Sequence, residues 1–342
     1  MTARPAGTPL VSAIVPAYNA TATIAHAIES IRAQTWPHVE VVICNDGSTD
    51  DTAEVVRAVC PDAVYLEQAN AGPAAARNAA AAAASGEFIA PLDADDRWAP
   101  EKLERQLEII AHDPTIGAVC TNGIVFSGGR SYPWISVRGP RLRELSVAEQ
   151  LHTDRRPISA SMLCRTDVFR ALGGYDEAIV WGEDLDFFCR MVASGHRLLA
   201  LRDPLYIYLR ATGSITAGMG LLRHAADALR VVEKMDPRVE HEGYRSPLTL
   251  RQFSDAMGER LLRLVWAHHR LGEQDQARGL IDRVAELPAP GPGLRMMVAT
   301  AGRNWPLFTR LLTIERRVRH VGHFVGRWGP IGGIRRHLAA PA

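Results

Sequence analysis

Charge imbalance, paired cysteines and long apolar runs are all missing from this sequence, and each absence narrows what the chain can be. Lys and Arg number 39 and Asp and Glu 38, a net charge of +1, so the chain as a whole is not built to neutralise nucleic-acid phosphates. Its five cysteines, Cys44, Cys60, Cys120, Cys164 and Cys189, are odd in number and never form a Cys-x-x-Cys pair. That argues against a disulfide framework or a zinc site and fits a reducing cytoplasm. No stretch approaches the roughly eighteen apolar residues of a membrane span. Residues 1–7 lack the apolar core of a signal peptide, so nothing is expected to send the chain across a membrane. A Gly-rich, Lys-containing phosphate loop is absent too.

What is there is ample core material. With 342 residues and 47% hydrophobic content, the chain can fill one large domain and a smaller one. Charge is unevenly spread: residues 294–342 hold nine arginines and one glutamate, a local +8, leaving 30 basic and 37 acidic residues in the remainder.

The first 126 residues alternate strand and helix patterns, which predicts an α/β fold with a mostly parallel sheet between helices. Val11–Val15 reads as a strand, and Ile24, Ala27, Ile28 and Ile31 recur at helical spacing behind Thr21 and Thr23 as caps. Residues 39–44 form the second strand, residues 52–59 a helix and residues 64–66 a third strand. Asn70-Ala-Gly72-Pro73 opens a helix in which nine of eleven residues from Ala74 to Ala84 are alanine, small enough to lie close on the sheet. A strand at 88–92 and a strand region at 116–126 follow. Residues 127–149 read as a loop over one edge, 158–163 as a strand, and 167–172 and 184–194 as helices. Beyond about 220 the pattern is helical: 221–235, 249–271 and 274–287, then a Pro-Gly linker.

The stretch Leu92-Asp93-Ala94-Asp95-Asp96 places three carboxylates directly after an apolar strand. Such a cluster repels itself unless a cation balances it, so a divalent metal with oxygen ligands is one reading. A solvated turn that favours the dipole of a helix over residues 100–112 is the other. Polar residues also follow two other strand ends, at Tyr18-Asn19 and Asn45-Asp46, and ligands of open α/β sheets bind beyond such ends.

The order Val15-Pro16-Ala17-Tyr18-Asn19, Asn45-Asp46-Gly47-Ser48-Thr49-Asp50, Asn70-Ala71-Gly72 with Ala76-Arg77-Asn78, Asp93-Ala94-Asp95-Asp96 and Gly182-Glu183-Asp184 resembles a family 2 glycosyltransferase of the GT-A fold. The match covers about residues 9–216. The resemblance implies a catalytic domain over 1–220, with a nucleotide-binding half at 1–126 and an acceptor-binding half at 127–220. A helical extension at 221–287 and a basic, amphipathic tail at 294–342 would follow. Pro16, Tyr18, Asn19, Asp46, Arg77 and Asp93 fall at nucleotide-binding positions, with Tyr18 offering an aromatic face and Asp46 accepting the imide N–H of uracil. Asp46 could instead cap the helix from Thr52, and Arg77 could be a surface arginine rather than a ligand of the base or diphosphate. Asp93 would face the ribose, and Asp95, with Asp96, would hold Mn²⁺ or Mg²⁺.

On the acceptor side the resemblance makes Glu183-Asp184 the catalytic acidic pair, with Asp184 as base, Glu183 as its neighbour or substitute and Asp186 as third candidate. A bare helix cap is the alternative for the pair. The family's Tyr-Arg-x-His pattern departs here: Tyr208-Leu-Arg210-Ala-Thr212-Gly-Ser214 lacks the histidine, leaving Arg210 and Ser214 for the diphosphate. His196 is the nearest preceding histidine and reads as structural. The segment around 261–281 is reminiscent of a single tetratricopeptide unit, or else is a helical cap on the catalytic domain. The tail could lie as a basic amphipathic helix on anionic lipid.

The implied activity is inverting transfer of a hexosyl or N-acetylhexosaminyl group from a nucleotide sugar, UDP favoured, to a glycan or lipid-linked acceptor in polysaccharide biosynthesis. The enzyme would be cytoplasmic or peripheral on the inner membrane face. A catalytically silent nucleotide-sugar-binding scaffold and a nucleotidyltransferase are the rival readings.

Overall fold

A computed structural model describes residues 7–127, 130–134, 140–152, 157–209 and 221–313. Its centre is one mixed sheet. The strands are β1 (Val11–Ala17), β2 (Val39–Asn45), β3 (Val64–Glu67), β4 (Phe88–Pro91), β5 (Arg97–Trp98), β6 (Ile116–Ser127), β7 (Arg130–Trp134), β8 (Leu142–Glu144), β9 (Leu163–Arg165) and β10 (Arg197–Leu209). Their order is β3-β2-β1-β4-β9-β6-β10-β5, with β7 beside β6 and β8 beside β10. The first four strands are parallel, as are β6 and β10. Short β9 runs antiparallel to both neighbours and splices β4 to β6.

Helices α1 (Ile24–Arg32), α2 (Thr52–Val59), α3 (Pro73–Ala83) and α4 (Lys102–Ile110) follow the sequence periodicity. α1 buries Ile24, Ala27, Ile28 and Ile31; Thr23 sits at its N-cap without a side-chain capping bond. Alanine is what brings α3 close: Ala74, Ala76, Ala80 and Ala81 pack directly on Ile14, Val42, Cys44 and Ile89 of the sheet.

Several expectations need correcting. Residues 127–149 are not merely a loop, because β7 and β8 form there and α5 (Val147–His152) begins. The strand expected at 158–163 is a short 3₁₀ turn, Ser159–Ser161, followed by β9. The helix expected from 100 starts at Lys102, and β5 lies between it and the acidic turn, so Asp96 is not in its first turn.

α6 (Thr166–Ala171) and α7 (Glu183–Ala193) complete the second half. The helices α8 (Leu221–Glu233), α9 (Leu250–Arg270), α10 (Gln274–Ala285) and α11 (Pro292–Arg303) follow. They do not stand apart. Val231, Phe253, Leu261 and Val265 share one apolar cluster with Val147 and Leu151 of α5 and Leu185 and Cys189 of α7. The helical pair α9–α10 is therefore a cap on the sheet domain, not a free repeat unit. The stretch expected as a linker already starts α11 at Pro292, and residues 305–313 are helical. Among the described residues no helix is long and apolar enough to cross a membrane.

Candidate functional site

Parallel strands deliver their ends to one rim. Ala17 and Asn45 are register partners, and Pro91 at the end of β4 pairs with Ile14. Tyr18, Asp46 and Asp93 therefore emerge along the same C-terminal edge, where α/β sheets bind ligands. Pro16 lies within β1 opposite Cys44. Tyr18 is 47% exposed, so its ring is open at this rim. Asn19 ties two turns together: its Oδ1 accepts from the Thr49 N–H at 2.8 Å, and its own N–H donates to Ser48 Oγ at 3.0 Å. It does this with φ at +49°, the only positive φ of a non-glycine among the described residues.

Asp46 is buried and does not cap α2. Its Oδ1 accepts from Gln68 Nε2 at 2.7 Å and the Ala71 N–H at 2.9 Å, while Oδ2 accepts from the Gly72 N–H at 2.9 Å. The carboxylate thus clasps the loop that opens α3. Gly47 permits that approach, because a Cβ there would stand 2.9 Å from the Asn70 nitrogen on a backbone already at φ +72°. The alternative in which Asp46 caps α2 is not what forms: the N-cap position is Asp51, without a side-chain capping bond, and Asp50 Oδ1 accepts the Thr52 N–H at 3.2 Å.

Arg77, which could have been a surface residue, is buried to 6% exposure. Its guanidinium bridges the two halves of the chain: Nη2 donates to Asp93 Oδ1 at 2.6 Å and Nη1 to Glu183 Oε1 at 2.9 Å. The ring of Tyr175 lies 5.8 Å from its Cζ. Burial disfavours the cation, but Asp93 and Glu183 outweigh it and hold the guanidinium firmly protonated. Next to it, Asn78 grips the acceptor half by its backbone, donating to Tyr175 O and accepting from Tyr175 N–H, both at 2.9 Å. Gly174 makes room, since a Cβ there would meet Asn78 Oδ1 at 2.5 Å.

The three carboxylates after β4 have different surroundings. Asp93 takes the arginine. Asp95 is half-buried, and burial, then repulsion from Asp93, raises it to about 6. Asp96 is fully buried; Tyr206 Oη donates to its Oδ2, and the Leu209 N–H donates to Oδ1 at 2.9 Å. Burial, with repulsion by Asp93 and Asp95, pushes it well above the usual carboxylate range. Asp96 thus fastens the acidic turn to the end of β10, a different task from the metal ligation expected of it.

At the start of α7, Glu183 faces Arg77, while burial and then the Asp184 charge raise it to about 7. Asp184 is 9% exposed, with Oδ1 accepting the Leu185 N–H at 2.7 Å at the positive end of the helix. Asp186 is committed elsewhere, to Arg190 at 2.7 Å and Lys234, just past α8, at 2.6 Å, which removes it as a base. His196 follows α7 against Gly117 and is structural. Arg210 and Ser214 lie outside the described residues.

Among the described residues no group of three His, Cys, Asp or Glu side chains is placed to hold a metal. A Mg²⁺-type ion needs fewer, because it is commonly held by one or two carboxylates with substrate phosphates filling the shell. Asp95 fits that pattern, being a carboxylate in an acidic surrounding to which no other side chain donates a hydrogen bond among the described residues.

Sequence reasoning gave no role to Gln68, Asn78, Tyr175 or Tyr206. Asn78 had a signal in its place beside Arg77 in Ala76-Arg77-Asn78, and Tyr175 in Gly173-Gly174-Tyr175-Asp176-Glu177, the stretch ahead of the acidic pair that also resembles the family. The partners of the other two are remote in sequence.

A family model described as Glycosyl transferase family 2 matches residues 12–173. The putative glycosyltransferase EpsE of Bacillus subtilis is 30% identical over 206 residues, which is 58% of this chain and 72% of EpsE. An uncharacterized glycosyltransferase of Nostoc sp., alr2836, is 32% identical over 188 residues, 52% of this chain and 58% of that protein. Against several other curated relatives the match spans from 19% to 63% of their length. The crystal structure of S. aureus TarS 1–349 with UDP-GlcNAc aligns with a TM-score of 0.68 at 20% identity, covering 90% of this chain and 91% of TarS 1–349. The mannosyltransferase PcManGT of Pyrobaculum calidifontis, with GDP-Man and Mn²⁺, aligns with a TM-score of 0.55 at 21% identity over 95% and 90% of the two chains. The architecture is that of the GT-A glycosyltransferases, and the chain belongs to glycosyl transferase family 2.

Proposed function

We propose that this chain is an inverting glycosyltransferase that moves a hexosyl or N-acetylhexosaminyl group from a nucleoside-diphosphate sugar to a hydroxyl of a glycan or lipid-linked acceptor. The observation that carries this reading is the crevice in which the acidic turn after β4 and the acidic pair opening α7 meet on one guanidinium. That meeting brings the carboxylates read as donor-side and the pair that includes the proposed base onto one guanidinium, which supports a single displacement between them.

UDP is the favoured nucleotide. Oδ2 of Asp46 takes one hydrogen bond and, with two lone pairs, can accept a second from the uracil imide. Exposed Tyr18 covers the base, Asp93 receives the ribose hydroxyls and Asp95 holds the cation. Mn²⁺ or Mg²⁺ on Asp95 would balance the charge that develops on the leaving diphosphate. Asp184 takes the acceptor's proton as the acceptor oxygen bonds to the anomeric carbon. The bond from that carbon to the diphosphate oxygen breaks on the opposite face, so configuration inverts. The relatives spanning this region include polysaccharide biosynthesis proteins, which supports a glycan acceptor.

A reducing compartment fits the five buried free cysteines. Peripheral membrane contact through the C-terminal region is part of the same reading, supported by exposed Met296, Leu307 and Leu311 beside the arginine-rich end. Liposome sedimentation of the full chain against one ending at Pro292 tests it, and equal pelleting rejects it.

The transfer itself is tested with a panel of nucleotide sugars, read as nucleoside diphosphate release and as mass added to the acceptor. Pyrophosphate release would instead reveal a nucleotidyltransferase. Binding of the donor without any release would reveal a silent scaffold.

A further inference from the structure

Arg77 falls at a position that the family resemblance gives to the nucleotide, yet both of its terminal nitrogens are committed to carboxylates of the protein. One is Asp93 on the donor side and the other is Glu183, next in the chain to Asp184. The two carboxylates are 90 residues apart in sequence and belong to different halves, so Arg77 is their shared fixed point. It is held rigidly. Its helix is packed on the sheet through alanine, Tyr175 flanks the guanidinium, and Asn78 pins the backbone of Tyr175 from the next position along α3. A helix with no long side chains toward the sheet cannot shift without opening gaps, so α3 sets the distance between the acidic turn and the start of α7.

From this geometry we infer that Arg77 is a positioning residue for the base: by holding Glu183 it fixes the first turn of α7, and so aims Asp184 relative to the donor carboxylates. This inference rests on the glycosyltransferase reading above and deepens it. It adds an acceptor-side role to Arg77 beyond its bond to Asp93 on the nucleotide side. The planar fork matters, since one guanidinium reaches two carboxylates at once and a single ammonium does not.

The experiment uses the full chain with Mn²⁺ and the donor found by the panel. It measures kcat and KM for Arg77→Met, Arg77→Lys, Glu183→Gln and the double variant Arg77→Met/Glu183→Gln, alongside UDP affinity by calorimetry. A misaimed base costs on the order of a hundredfold in rate. The expected result is therefore a kcat lowered about a hundredfold in Arg77→Met and Glu183→Gln, UDP affinity within about threefold of wild type in Glu183→Gln, which leaves the Arg77–Asp93 bond in place, and partial recovery of kcat in Arg77→Lys. Residues that act as one unit are strongly non-additive, so the double variant should be no slower than the worse single one. If Arg77→Met fails to fold, Arg77→Lys and its combination with Glu183→Gln carry the same comparison. UDP affinity weakened about tenfold or more with kcat at saturation intact, or single effects that multiply in the double variant, would overturn the inference. A wild-type chain that turns over no donor sinks the glycosyltransferase reading itself, and that result is seen without any variant.

Discussion

Two acidic turns on either side of β1 hold one carboxylate each, Asp46 and Asp95, in opposite ways. In the turn after β2, Asp46 receives three N–H donors, and Asp50 receives the Thr52 hydroxyl and N–H together with the Thr21 N–H. In the turn after β4, Asp95 has only its own backbone N–H as a donor among the described residues and is held up to about 6 by burial and by Asp93. Donors supplied to a carboxylate make a brace, whereas donors withheld make a place for a cation or a transferring proton. On the proposed function, the difference separates a part of the rim that braces the fold from a part that would react.

Variants can break or sharpen that contrast, and the largest effect belongs in the reacting region. Asp184→Asn keeps size and loses basicity, so kcat should fall by about a thousandfold. UDP affinity should stay within about twofold because Asp184 is not a nucleotide contact, and steady-state rates with calorimetry check both. If the rate survives, the base lies elsewhere.

Asp95→Asn comes next. With its single protein carboxylate gone, the Mn²⁺-dependent part of UDP binding should weaken by at least about tenfold, while binding in the presence of a chelator is unchanged. Equal loss with and without metal would show that Asp95 serves the nucleotide directly.

On the bracing side the effect should be on stability. Asp46→Ala strips partners from the buried N–H groups of Ala71 and Gly72 and from Gln68, which should cost about 2–4 kcal/mol in urea unfolding. A smaller loss would mean the 68–72 loop finds water instead.

How much of this contrast is visible in the sequence depends on range. The strand–helix alternation to residue 110, the alanine helix and the acidic pair opening α7 are all local patterns, and they stand where periodicity and capping residues put them. The mixed centre of the sheet was not legible, because β9 is three residues long and is defined only by partners about 45 to 75 positions away. Lys102 and Gln106 show the same limit within one helix. Periodicity finds Leu103, Leu107 and Ile110, but these two polar neighbours are fully buried as well, donating to the Met162, Val119 and Ser161 carbonyls. Only the folded arrangement creates those acceptors. Asp93, Asp95 and Asp96 look equivalent in the chain, and their division of labour arises from Arg77 and from Tyr206 with Leu209, which no local pattern connects to them.

The smallest predicted effect is also the one whose sign tests the contrast most directly. Desolvation is the largest single influence and acts against the Asp50 anion, but the hydroxyl and N–H donors of Thr52 and Thr21 together outweigh it and lower it to about 2. An unfolded aspartate titrates near about 3.9. The folded value lies below the unfolded one, so the stabilisation is fully present above about pH 4 and is lost as pH falls through about 2. Because Asp50 is exposed and screened by solvent, its contribution should stay below about 1 kcal/mol. Urea midpoints of wild type and Asp50→Asn should therefore differ by a small constant amount from pH 7 to pH 5, then converge on acidification. A gap that widens as the pH falls would mean that the bracing turn, like the reacting one, holds its carboxylate against its charge.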